Sequence, residues 1–284
     1  VVVGLQTDDD ERFVRKWWEV PKSEINNRYI RFQMSGSDAI YYDYAEDYVD
    51  WGESGEVIEN EGGNARNKEL YLKRGATFRG FGTRLIGRLH KENMIFSHTS
   101  HYIHSEDYSS ELIIAHLNST IHRFIANGLN PGLHYEVGDA KRLPIKEEFE
   151  QAEKLEQLVE TGIENRKKIT KISETSADFD PDLAYKLLAD GVQSLLSAED
   201  KHKAHVLTAH GISDSILFEE YEIPDDIQNQ MYSNLPKNVS DKPALQECHV
   251  KYPDLFEDEV SVVSRERSEL DELIDDLRDP EDAD

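Results

Sequence analysis

The chain has 284 residues, 58 Asp+Glu against 32 Lys+Arg, a formal charge of −26 and 38% hydrophobic residues, enough for about two compact domains. Its one cysteine, Cys248, excludes an internal disulfide framework and a multi-cysteine zinc site. No apolar run approaches the roughly 18 residues of a membrane-spanning helix, so a soluble, cytoplasmic protein without a membrane partner is expected.

Aromatic residues and periodic apolar stretches favour a folded chain over a disordered one. A folded protein this acidic suits a high-salt cytoplasm, where self-repulsion is screened within about 3 Å at 1 M salt. The chain opens on Val1 and carries no methionine before Met34, so it reads as a piece of a longer protein.

In chain order, the β-branched start at Val1–Val3 suits a strand, followed by a turn from Gly4 to Asp10, where Asp8-Asp9-Asp10 can cap a helix beginning near Glu11. Residues 28–60 alternate aromatic and polar positions and predict short strands and loops. Residues 93–104 predict a pair of strands. From Tyr108 to Asn127 apolar residues recur at helical spacing, with Gly128 as the stop, and Leu133–Val137 predicts another strand. One long helix is expected from Lys146 to Ser173, with Gly162 its weak point, then two shorter helices over Leu183–Leu196 and Ala204–Leu217. The fold class expected is α+β: a mixed α/β domain over 1–145, a connecting helix over 146–175, a mainly helical region over 176–264 and an acidic, disordered tail over 265–284.

Charge is unevenly spread. Residues 66–145 hold 11 bases and 7 acids, and Arg66, Lys68, Lys73, Arg74, Arg79, Arg84, Arg88 and Lys91 face the single acid Glu69. A basic island in an acidic protein points to a polyanion. Tyr71, Phe78 and Phe81, with Gly75, Gly80, Gly82 and Gly87, would let aromatic faces and backbone approach a nucleic acid. No catalytic constellation is complete. His98, His101 and His104 recur every third residue, a spacing that alternates faces in a strand and does not assemble a metal site. Asn130-Pro131-Gly132 reads as a turn. Trp17 and Trp18 read as core or interface aromatics.

Three segments together resemble one family. Gly4-Leu5-Gln6-Thr7 with Arg12-Phe13-Val14-Arg15-Lys16-Trp17-Trp18-Glu19-Val20, then Leu117-Asn118-Ser119 with Leu129-Asn130-Pro131, Tyr135-Glu136-Val137-Gly138-Asp139 and Leu143-Pro144-Ile145, then Glu174-Thr175-Ser176-Ala177-Asp178-Phe179, occur in this order. They resemble the region after the catalytic domain in the PglX adenine-specific methyltransferases of BREX phage-exclusion systems and in type IIG restriction–modification enzymes. Asp8 and Asp10 depart from the Gly and Asn of that pattern.

The resemblance implies a target-recognition region whose Asn-Pro-Pro-Tyr/Phe motif and S-adenosylmethionine site belong to an upstream methyltransferase domain, with no cofactor in these residues. Its partners would be double-stranded DNA, that domain and other phage-defence proteins. Gln6, Thr7, Arg12, Arg15, Lys16, Arg66, Lys68, Lys73, Arg74, Arg79, Arg84, Arg88, Lys141 and Arg142 would lie along DNA, the cations positioning phosphates and a subset reading base edges. Two other readings account for the missing motif: a non-catalytic specificity module acting with a separate methyltransferase, and an acidic scaffold whose basic island binds its own tail.

Overall fold

The computed structural model describes residues 1–234 apart from 83, 133, 147 and 148; the expected tail over 265–284, Cys248 and the end of the 176–264 region lie outside the described residues. The protein is an α+β fold, as its sequence predicts.

The first half supplies β1 (Leu5–Gln6), α1 (Asp10–Phe13), β2 (Val14–Lys16), β3 (Tyr29–Gln33), β4 (Asp47–Asp50), α2 (Glu56–Asn60), β5 (Asn64–Ala65), β6 (Gly75–Arg79), β7 (Gly87–His90), β8 (Met94–Phe96) and β9 (Ser100–Ile103). These make a four-stranded sheet in the order β2-β4-β3-β8, a three-stranded sheet β7-β6-β9 and a two-stranded ribbon β1-β5. β3 and β8 are parallel, whereas the other named pairs are antiparallel. The two strands expected within 93–104 are present but do not pair with each other: β8 joins β3, and β9 joins β6. The Val1–Val3 strand shrinks to a single bridge between Val2 and Tyr102, and the strand proper falls on Leu5 and Gln6, inside the expected turn.

The second half is helical: α3 (Ser110–Asn118), α4 (Thr120–Leu129), α5 (Val137–Ala140), α6 (Ala152–Ile172), α7 (Pro181–Ala189), α8 (Val192–Glu220) and α9 (Asp225–Asn234). The single helix expected from Tyr108 to Asn127 is two. Ser119 leaves helical geometry, and its hydroxyl accepts from His122 N, capping α4 as Ser109 caps α3 through Leu112 N. Gly128 lies inside α4, which ends at Leu129. Leu133 is outside the described residues, and of the strand expected there only a bridge between His134 and Phe81 exists; Val137 already starts a helical turn. Beyond α6, the helix expected to end at Leu196 breaks earlier, at Gly191 with φ 106°, and one long α8 replaces the second short helix. Asp180 caps α7 through Asp182 N and Leu183 N, with Pro181 at its first position.

Helices α3, α4, α6 and α8 share one core with the three-stranded sheet; Ile114, Leu155, Leu158, Val159, Ile212 and Leu217 there are at most 0% exposed. The four-stranded sheet closes a second core around Leu5, Val49, Ile58, Ile95 and Phe96. Gly162 is not a weakness but a contact: a Cβ there would overlap the Tyr41 ring, so the glycine lets α6 lie directly on that buried tyrosine.

Candidate nucleic-acid interface

The resemblance segments are staples of this fold. Asn118, fully buried at the end of α3, pairs with a strand as another strand would: its Nδ2 donates to Gly87 O and its Oδ1 accepts from Gly87 N, both at 2.9 Å. Gly87 is required by the approach, since a Cβ would come within 2.6 Å of Leu117 Cβ. Asp178, in the turn after α6, gathers groups from the sheet face. Arg31 donates to its Oδ1 at 3.0 and 3.1 Å, the Tyr42 hydroxyl to Oδ2 at 2.7 Å, and Lys91 Nζ lies 4.0 Å away. Burial pulls the Asp178 carboxyl up, but Arg31, Tyr42 and Lys91 together hold it below the usual carboxylate value. Sequence reasoning missed the roles of Arg31, Tyr42 and Asn118, because each depends on a partner tens of residues away.

Loops distant in sequence then meet along one edge. His98 N donates to Leu5 O at 2.9 Å, which sets the β1-β5 ribbon beside the 97–100 turn. Gly80 N donates to Thr99 O at 3.1 Å and Gly80 O accepts from Tyr135 N at 2.8 Å, which sets the 80–82 turn between that turn and the 134–136 segment. On this strip Asn64, Arg66, His98, Phe81 and His134 are exposed and Gln6 is half-buried. With its amide turned so that the oxygen faces the guanidinium, Asn64 accepts from Arg66 at 3.1 and 3.2 Å. At the far end Asn130 Oδ1 accepts from Gly132 N, the expected turn, while its Nδ2 donates to His134 O and Asp139. Exposed Lys141 and Arg142 follow α5. His98, His134 and Asn64 carried no mark as interface residues in the sequence.

The basic island is largely consumed inside the protein. Arg88 is 3% exposed, and its guanidinium donates to the carbonyls of Ser35, Ser37 and Ala39 near Asp43; burial pushes it down to about 10 against the pull of Asp43. Arg84, 8% exposed, donates to Asp38 O. These two arginines hold the 35–39 loop rather than facing outward, a correction to the expectation that the whole run lies along DNA. Thr7 is likewise buried, bonded to Asp10. Of the remaining expected contacts, Arg12 pairs with Glu61, Lys16 with Glu46 and Asp47, Lys68 with Glu59, Arg74 with Glu111 and Arg79 with Asp38. Arg15 donates to the carbonyls of Glu11 and Val14. Lys73 is exposed, with no ion pair among the described residues, but it lies at the opposite end of β6 from the strip.

Aromatic residues sort as sharply. Tyr71 and Phe78 belong to the cores at 6% and 1% exposure, whereas Phe81 is 53% exposed. Trp18, expected in the core or at an interface, is 61% exposed and so not in the core, beside half-buried Trp17, following edge strand β2 on the side of the four-stranded sheet away from β8. His101 is buried and His98 exposed; among the described residues no group of three His, Cys, Asp or Glu could hold a metal ion. No described helix is long and apolar enough to cross a membrane. No protein-family model matches the chain, and no curated protein matches it.

Proposed function

We propose that this chain is the DNA target-recognition portion of a site-specific N6-adenine DNA methyltransferase of phage defence or restriction–modification, its catalytic domain lying upstream. The observation that supports it is the strip. The Gly4–Thr7 part of the resemblance, which carries Gln6, and the Leu129–Asp139 part, which carries His134, stand at its two ends, and Asn64, Arg66, His98 and Phe81 lie along it. The β1-β5 ribbon suits a major groove, which admits a two-stranded ribbon. Leu5 is buried, so the alternation of a strand turns Gln6 outward. Gln6 and Asn64 are the side chains that pair with adenine, and Arg66 the one that pairs with guanine.

In this reading S-adenosylmethionine belongs to the upstream domain, which supplies the methyl transfer, while these residues position the duplex. The acidic remainder of the surface suits a high-salt cytoplasm. A non-catalytic specificity module working with a separate methyltransferase accounts for the same strip; an upstream in-frame Asn-Pro-Pro-Tyr/Phe motif would exclude it.

The test is fluorescence anisotropy of a labelled mixed-sequence duplex with the full chain over a KCl series. Arg66, Lys141 and Arg142 are the strip's exposed cations without an ion pair among the described residues. They would neutralise about three phosphates, giving a log–log salt slope of about −3. Absence of binding at every salt concentration refutes the reading; a slope near −7 would mean that the paired cations also open toward DNA.

A further inference from the structure

We propose that Phe81 stacks its ring on a DNA base exposed at an opened step of the bound duplex. This rests on the DNA-binding reading above and adds to it the contact that senses base stacking rather than charge. The turn that carries Phe81 is paired on both sides: Gly80 bonds to Thr99 and to Tyr135, and Phe81 itself bridges to His134. A floppy loop tip would bury or release such a ring; here two neighbouring segments hold it in water at 53% exposure.

The flanking residues leave it clear. A side chain at Gly80 would come within 3.2 Å of the His101 ring, and one at Gly82, with φ 156°, would overlap the Arg79 guanidinium. Glycine thus suits both flanks, at Gly82 for its backbone conformation as well, and Phe81 projects between them. The His134 ring stands against it at 4.9 Å between centroids and 64° between planes, supporting it edge-on. Under the turn, Arg79 Nε and His101 Nδ1 are buried without a hydrogen-bond partner among the described residues.

The neighbours of the ring decide which occupant fits. A protein partner calls for a contiguous apolar patch, whereas here the exposed ring stands against the exposed His134, on a turn bonded to the 97–100 turn that carries exposed His98. A base offers a π face to such a ring, and stacking of this kind tolerates any base. Opening a step costs least where pairing is already broken, so the contact favours mismatched DNA.

The experiment uses the full chain and two labelled duplexes of mixed sequence, identical except for one central mismatch next to a 2-aminopurine. The wild-type protein should bind the mismatched duplex more tightly, and 2-aminopurine fluorescence should drop on binding. Phe81→Ala should abolish both the preference and the fluorescence change, weakening mismatched-duplex binding by about tenfold. Phe81→Trp should retain both, whereas Phe81→Leu, apolar but without a π face, should behave as Phe81→Ala. An unchanged melting temperature for each variant, expected at so exposed a position, separates lost contact from lost fold. If wild type binds both duplexes and Phe81→Ala or Phe81→Leu keeps the preference, stacking is refuted while DNA recognition stands. If wild type binds neither, both readings fall.

Discussion

Replacing Asp178 by Ala removes the acceptor of three hydrogen bonds, two from Arg31 and one from Tyr42, and leaves Arg31 with a side chain only 16% exposed. Breaking a buried pair from one side costs about 3–5 kcal/mol, and hydrogen bonds to a charged group contribute about 1.5–3 kcal/mol each. The Asp178 side chain is 25% exposed, so water can recover part of this. A loss of about 3 kcal/mol remains, a fall in Tm of roughly 6–12 °C for a chain of this size. Urea denaturation followed by far-ultraviolet circular dichroism at constant KCl measures it. The double variant Asp178→Leu with Arg31→Met should recover much of the loss, since an apolar pair leaves no orphaned charge. A loss below about 1 kcal/mol for Asp178→Ala would show that the cluster is loosely solvated and would refute the argument. The folded-state pKa of Asp178 lies below its ordinary value, so its contribution is present above that value and fades as pH falls through the folded pKa.

Asn118→Ala orphans the buried Gly87 N–H, while Gly87 O keeps its bond from Tyr41 N at 3.0 Å, and should cost about 1–3 kcal/mol, read as a lower urea midpoint with unchanged slope. Gly162→Ala, stabilising on helix propensity alone, should instead destabilise by about 1–3 kcal/mol by overpacking Tyr41, and a gain in Tm would refute that contact. Burial holds His90, His116, His202 and His205 down at about 4 and His122 at about 3, below the ordinary value of 6.5. Unfolding lets these rings take up protons, so stability is full above pH 6.5 and falls progressively toward pH 4; a urea midpoint flat across that window would contradict it.

Local signals survived into the structure where the partner was also local. Asp9 caps α1 by bonding to Arg12 N, one residue from the start expected of the Asp8–Asp10 run, and the apolar period of α6 places Leu155, Leu158, Val159 and Ile163 in the core. What failed to show was pairing at a distance. A basic run announces charge but not its counter-charges: Glu59 and Glu111, which pair with Lys68 and Arg74, and Asp38, which pairs with Arg79, all lie outside the Arg66–Lys91 run. Gly162 looked weak because propensity weighs a residue against its own helix, not against a tyrosine from another segment. The candidate strip was half legible: Gln6, Arg66, Phe81, Lys141 and Arg142 stood out by type, whereas His98 and His134 became relevant only when Gly80 was seen bonded to both of their neighbours.

Asp178 also carries a schedule. It lies 147 residues after Arg31, and a ribosome adding about 5–20 residues per second delivers it roughly seven to thirty seconds later. Once the chain has passed Phe96 all four strands of the first sheet are made, and its arginine, tyrosine and lysine face water with their acceptor still unmade. The nascent chain therefore shows this cationic patch to its surroundings, and the turn after α6 closes it last.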